Sequence, residues 1–183
     1  MNKISTHKTV LGTAVSLFLL GVVAPAVFLV ISAGIDRALG LSRVVGEPWS
    51  SFVGAASILM GAFWILWAWS YLLFVGRGLP LEVFGKALHA TRVLVTTGPY
   101  AYTRNPMVLG LLFILFGLAF LRGSMSGFVI VPFIGLIAWL YLAAFEEKGL
   151  VARFGTDYEK YRASVPLLFP RLSAYVHAPD LVS

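Results

Sequence analysis

Four stretches of this chain carry no charged side chain: Val10 to Ala33, Ser51 to Val75, Met107 to Leu121 and Phe128 to Phe145. A backbone buried in hydrocarbon must satisfy its own N–H and C=O groups, and a helix does so within one segment. About 20 apolar residues span the ~30 Å hydrocarbon core of a bilayer. The third stretch is the shortest, about 22 Å long as a helix. Composition points the same way: 59% of the residues are hydrophobic and 12% charged, against about 25% charged in soluble domains. The expected fold is all-α, a polytopic membrane bundle of about four transmembrane helices in one domain over residues 1–183. The spans are placed at about 10–33, 51–75, 106–121 and 128–145, with a loop at 76–105 and a C-terminal amphipathic helix and tail at 146–183. Lys3 and Lys8 precede the first run, as in a signal peptide. A signal-peptide core is about 7–15 residues; this run is longer, so a permanent helix is expected, with Pro25 as its candidate kink.

Several chemistries are excluded or disfavoured. There is no cysteine, hence no disulfide, thiolate metal site or cysteine nucleophile. His7, His89 and His177 are far apart in sequence, so no metal site is expected. Gly76-Arg77-Gly78 lacks the spacing of a phosphate-binding loop, and no GxGxxG occurs. The net charge of +6 is read as a topology signal and an attraction to anionic lipid, not as affinity for nucleic acid. With the N-terminus inside and four crossings, the inside segments hold Lys3, Lys8, Arg77, Lys86, Arg92, Arg104, Lys148, Arg153, Lys160, Arg162 and Arg171. The outside segments hold only Arg37, Arg43 and Arg122. This positive-inside bias places the long middle loop and the C-terminal segment in the cytoplasm, in a multi-pass protein of a bacterial-type inner membrane.

The stretch Thr96 to Met107 then stands out. Gly98-Pro99 signals a turn. Asn105-Pro106 reads as a helix start, with Asn as side-chain N-cap and Pro at the first helical position. The loop brings Tyr100, Tyr102 and Arg104 to the N-terminus of a buried helix, where free N–H groups and the helix dipole favour an anion. The competing reading is a capped helix with interfacial anchors. Across the hairpin, Glu146-Glu147 falls at the same end as Arg104-Asn105. Carboxylates at a membrane edge lean functional. Leu150, Phe154, Tyr158 and Tyr161 share a helical face, with Gly155 as a candidate interruption. Trp67 and Trp69 are read as interfacial belt residues, and Arg171 to Ser183 as a surface tail.

Taken together, Arg92-Val93-Leu94-Val95-Thr96-Thr97-Gly98-Pro99-Tyr100, Tyr102-Thr103-Arg104-Asn105-Pro106-Met107, Gly110, Glu146-Glu147, Phe154-Gly155, Tyr158, Tyr161, Val165-Pro166 and Pro170 resemble the isoprenylcysteine carboxyl methyltransferase and phospholipid methyltransferase superfamily of integral membrane enzymes. The resemblance covers roughly Gly76 to Arg171. It implies S-adenosylmethionine as cofactor and a lipophilic acceptor reaching the site from the bilayer. It implies cofactor contacts at Arg92, Val93, Leu94, Val95, Tyr100, Asn105, Pro106, Met107, Val108 and Glu146. Arg104, Asn105 and Glu147 are the candidate catalytic residues, Glu147 as proton acceptor for an amine substrate. The family often has His in place of Asn105 and Tyr in place of Val108. Its isoprenylcysteine branch has an Arg, tied to the prenylcysteine substrate, where this chain has Leu142. An acceptor other than a prenylcysteine carboxylate is therefore expected. The alternatives are an NADPH-dependent membrane reductase of the sterol-reductase type and a non-catalytic membrane protein that keeps the pocket.

Overall fold

The computed structural model describes residue 15, residues 18–76, the backbone of 82–83 and 86–87, and residues 93–175. The expectations placed on Arg92, on the three histidines and on the first residues of the first span lie outside the described residues.

The described chain is helical. A π-turn, Leu19–Val23, runs into α1, Ala24–Ala38. α2 is Trp49–Phe74. The segment that follows contains a two-residue antiparallel ladder, β1 Glu82–Val83 with β2 Lys86–Ala87, and a 3₁₀ turn, Gly98–Ala101. α3 is Pro106–Arg122 and α4 is Met125–Tyr141. A second π-turn, Leu142–Glu146, joins α4 without a break to α5, Glu147–Phe154, and α6 is Thr156–Ser164. Among the described residues three helices are long and apolar enough to cross a bilayer: Leu19–Ala38, Trp49–Phe74 and Met125–Phe154. α3 is the shorter apolar helix, as its uncharged run foretold. The protein is an integral, polytopic helical bundle.

Two boundaries differ from expectation. The fourth helix does not stop at Phe145 but continues through Glu146 and Glu147 to Phe154. Loss of apolar character marks where a helix leaves hydrocarbon, not where its backbone ends. Gly155 is the real break, at φ 55° and ψ −132°, a conformation open to glycine and strained for other residues. The first helix also runs past Ala33 to Ala38. Asp36 on its last turn accepts from Ser124 Oγ and from the Ser126 backbone N–H, and Ser126 Oγ donates to Ser32 O. These bonds fasten α1 to the N-terminus of α4, where Ser124 also accepts from Gly127 N as N-cap.

The most extensive helix contact is α2 on α3, and glycine makes it possible. Gly54 and Gly61 of α2 lie against Gly117 and Gly110 of α3. A Cβ on Gly110 would sit 2.6 Å from Gly61 O, and one on Gly117 would sit 2.6 Å from Gly54 O. Small residues let helix backbones approach this closely in membranes. α1 runs antiparallel to α4, with Phe28 packed among Leu115, Ala119 and Val131. Trp69, expected in the interfacial belt, is buried at 5% exposure, because Ile65, Ala68, Trp69 and Leu72 continue the buried face of α2. Trp64 and Trp67 instead join Phe63 and Tyr102 in a half-buried aromatic cluster.

Residues 166–175 are not a free tail over their described length. Arg104 N donates to Pro166 O, Arg171 N to Tyr102 O and Tyr175 N to Ala101 O. Thr103 Oγ1 donates to Leu168 O at 3.0 Å. This strap fixes the polar loop that leads into α3.

Candidate functional site

A cavity of about 320 Å³ opens where α3 begins and α4 ends. Arg104, Asn105, Pro106, Met107 and Val108 form one wall. Leu142, Glu146, Leu150, Arg153 and Phe154 form the opposite wall along the second π-turn and α5. Leu94, Val95 and Tyr100 come from the preceding loop, and Tyr158 and Tyr161 from α6. Leu20, Leu72, Ala138 and Tyr141 close the end that faces into the bundle. The cavity is thus polar where the helix termini meet and apolar toward the spans.

Asn105 occupies the N-cap position of α3, but its side chain makes no cap hydrogen bond. This corrects the expected side-chain cap. Its Nδ2 donates to Leu167 O at 3.1 Å instead, because the strap places a carbonyl beside it. The first-turn N–H groups of Met107 and Val108 therefore have no helical acceptor. Both residues line the cavity, so an uncapped positive helix end borders it.

Arg104 lines the cavity and forms an ion pair with Glu147, with side-chain exposures of 11% and 7%. Glu147 also faces Arg162 Nε at 3.4 Å and accepts from Tyr158 OH at 3.4 Å. It does not line the cavity. Arg104 Nε is buried and, among the described residues, has no hydrogen-bond partner, so one guanidinium donor is left unsatisfied. Burial lowers the Arg104 pKa from its ordinary value. Tyr161 OH donates to Tyr100 O at 2.7 Å and pins the 3₁₀ turn. Burial raises the pKa of both tyrosines, that of Tyr100 well above the ordinary value.

Of the residues singled out from sequence, Leu94, Val95, Tyr100, Arg104, Asn105, Pro106, Met107, Val108 and Glu146 share this cavity. Val93 does not and is half-exposed. Sequence reasoning missed Leu20, Leu72, Ala138, Tyr141 and Arg153. Leu150, Phe154, Tyr158 and Tyr161 were legible as one helical face, but were not named among the expected cofactor contacts; all four line the cavity. Arg153 had a usable signal, lying seven positions after Glu146 and so on the same helical face. Leu20 and Leu72 had none, since nothing local separates them from other apolar helix residues. Among the described residues no group of His, Cys, Asp and Glu could hold a metal ion.

The sequence profile of the family described as phospholipid methyltransferase matches residues 49–157. The chain is 30% identical over 152 residues to methanethiol S-methyltransferase 2 of Bradyrhizobium diazoefficiens, covering 75% of this chain and 56% of that protein. It is 37% identical over 81 residues to protein-S-isoprenylcysteine O-methyltransferase of Schizosaccharomyces pombe, covering 43% of this chain and 33% of that protein. The chain therefore spans about half the length, or less, of these curated relatives. The profile covers more than half of the chain, from the start of α2 to the start of α6, and takes in most of the cavity wall. The chain belongs to the phospholipid methyltransferase family.

Proposed function

We propose that this cavity binds S-adenosylmethionine and that the protein methylates a small lipophilic thiol arriving from the bilayer. The carrying observation is the cavity's polarity. An uncapped helix N-terminus and Arg104 line the same cavity as Glu146, and Leu20, Leu72, Ala138 and Leu142 add apolar lining. A zwitterionic amino acid moiety has a carboxylate for the first pair and an ammonium for Glu146. Leu94, Leu150, Phe154 and Tyr158 offer apolar and aromatic surface to an adenine. When bound, the cofactor supplies an electrophilic methyl group: as acceptor sulfur forms its bond to that carbon, the carbon–sulfonium bond breaks and its electrons remain on S-adenosylhomocysteine.

The protein contributes alignment and exclusion of water, which dominate such a displacement. Glu147 acts as a positioning residue: it holds Arg104 at the cavity wall and is itself held by Tyr158 and Arg162. Among the described residues Glu146 is the one carboxylate on the wall. Once occupied by the cofactor's cationic group, it is not free to accept a proton. The acceptor's proton must then pass to water at the cavity mouth before the methyl is transferred; a thiol can release it there, and the resulting thiolate is nucleophilic without further help. Leu142, 3% exposed, presents no charge to an acceptor carboxylate. The cavity lies near the lower limit of the ~300–1,000 Å³ range of ligand sites, which favours a compact acceptor. The thiol named for the Bradyrhizobium relative supports this class. The charge bias of the chain supports a cytoplasmic position for the site.

Calorimetric titration of detergent-purified protein with S-adenosylhomocysteine and with NADPH tests this reading. Binding of the former and not the latter is expected. The reverse result would return the protein to the reductase class.

A further inference from the structure

We infer that the first helix, through Leu20 on its π-turn, walls the acceptor end of the cavity and limits the length of the acceptor's alkyl group. The inference rests on the methyltransferase reading above. Among the described residues, Leu20 is the one residue of the first helix that lines the cavity. It meets the apolar end formed by Leu72, Ala138, Tyr141 and Leu142. The polar end, with Arg104, Asn105 and Glu146, suits the cofactor, which leaves this apolar end for the acceptor.

The first helix is held unevenly. Its far end is tied by Asp36 to Ser124 and Ser126, and by Ser32 O to Ser126. Phe28 anchors its middle against Leu115 and Val131. The π-turn Leu19–Val23 has no buried residue. Leu19 and Val22 are exposed, at 45% and 52%, and in a bilayer they face lipid. Leu20 thus sits at the loosely packed end of an anchored helix and shares the cavity lining with the small side chain of Ala138. The π-turn Leu142–Glu146 lies across the cavity and supplies Leu142 and Glu146 to it. Single π-turns shift side-chain register and concentrate at functional sites. Here one lies on each side of the same opening. The first helix lies outside residues 49–157 matched by the family profile. A thiol with a short alkyl group fits beneath Leu20, whereas a longer one must displace it.

The test compares wild-type protein, Leu20→Ala and Leu20→Trp in detergent on a series of straight-chain thiols from methanethiol to octanethiol. Leu20→Ala should raise kcat/KM for hexanethiol relative to methanethiol about tenfold, and Leu20→Trp should lower it by a similar factor, the scale expected for methylenes in an apolar pocket. Affinity for S-adenosylhomocysteine should stay within about twofold in both variants, since apolar bulk at this end leaves the polar end intact. A readout independent of turnover uses the absence of native cysteine. In Leu20→Cys, maleimide labelling should slow when hexyl methyl sulfide, the product of hexanethiol methylation, is added with S-adenosylhomocysteine, and not with S-adenosylhomocysteine alone. An unchanged chain-length profile in both substitutions, or labelling indifferent to the sulfide, overturns the inference while leaving the methyltransferase reading standing. Loss of S-adenosylhomocysteine affinity in Leu20→Ala also overturns it, by placing Leu20 on the cofactor's wall. Wild-type protein that binds no S-adenosylhomocysteine overturns the reading beneath it, and this inference with it.

Discussion

Glu146→Ala removes the one carboxylate that the described residues put on the cavity wall; Glu146 is half-buried, so the loss should lie toward the low end of the about 2–5 kcal/mol that truncating a desolvated charged partner costs. Asn105→Ala removes a neutral hydrogen bond to Leu167 O, worth about 1 kcal/mol, and leaves the first-turn N–H groups in place. S-adenosylhomocysteine affinity should therefore fall further in the Glu146 variant; equal losses would show that the carboxylate takes no charged group. Arg104→Met leaves Glu147 buried with only Arg162 and Tyr158 beside it. Stranding a buried charge costs about 3–5 kcal/mol. Arg162 is half-exposed and compensates in part, so the lower end of that range is expected by thermal unfolding. Tyr100 and Tyr161 set an alkaline limit. Their folded pKa values lie above 10.0, the value of the unfolded chain. The unfolded state then releases protons first, so their contribution is intact below pH 10 and declines as pH rises above it. Melting temperature should fall above about pH 10, and less steeply in Tyr161→Phe.

At the scale of elements, the glycine contact between α2 and α3 offers a clean comparison. A Cβ at 110 meets backbone at Gly61 O, 2.6 Å away, and backbone yields only if the helices separate. Gly110→Val should destabilise by about 1–3 kcal/mol, the usual cost of overpacking. At Gly34 nothing lies within 4 Å of an added Cβ, so Gly34→Ala should be neutral or slightly stabilising through helix propensity. Thermal unfolding in detergent separates the two, and equal effects would refute close helix approach as the reason for glycine. The apolar helices were legible from their uncharged runs. The glycine pairing was not, because spacing within one helix does not name its partner. The continuation of the fourth helix past Glu146 was missed for a similar reason: a change of solvent alters side-chain polarity without interrupting backbone hydrogen bonds. Gly155, whose conformation is local, was legible. The strap at 166–175 was not, since its hydrogen bonds reach back to residues 101–105.

For the whole molecule, the charge bias predicts an orientation of the bundle. Val44, in the connection after α1, and Leu172, in the strap, are both exposed and lie at opposite ends of the expected topology. In a cysteine-free background, Val44→Cys should react with an impermeant maleimide added outside intact cells. Leu172→Cys should react only after the membrane is opened. Labelling of Leu172→Cys from outside would reverse the orientation and place the cavity away from the cytoplasm.

Hydrophobic run length and charge placement are properties of the linear chain. From them followed a helical membrane bundle, a short third helix and a polar cluster at the start of that helix, because each depends on neighbours within a few turns. The proximity of Arg104-Asn105 to Glu146-Glu147 also followed, since an antiparallel hairpin must bring those ends together. The division of labour between the two glutamates did not. Glu146 and Glu147 are adjacent, yet consecutive helix positions point about 100° apart; one lines the cavity and the other is buried against Arg104. Which was which depended on how α4 and α5 are rotated against α3, a matter of packing between distant segments. The same holds for Leu20, which reaches the cavity only because Asp36, Ser32 and Phe28 fix the first helix against the hairpin.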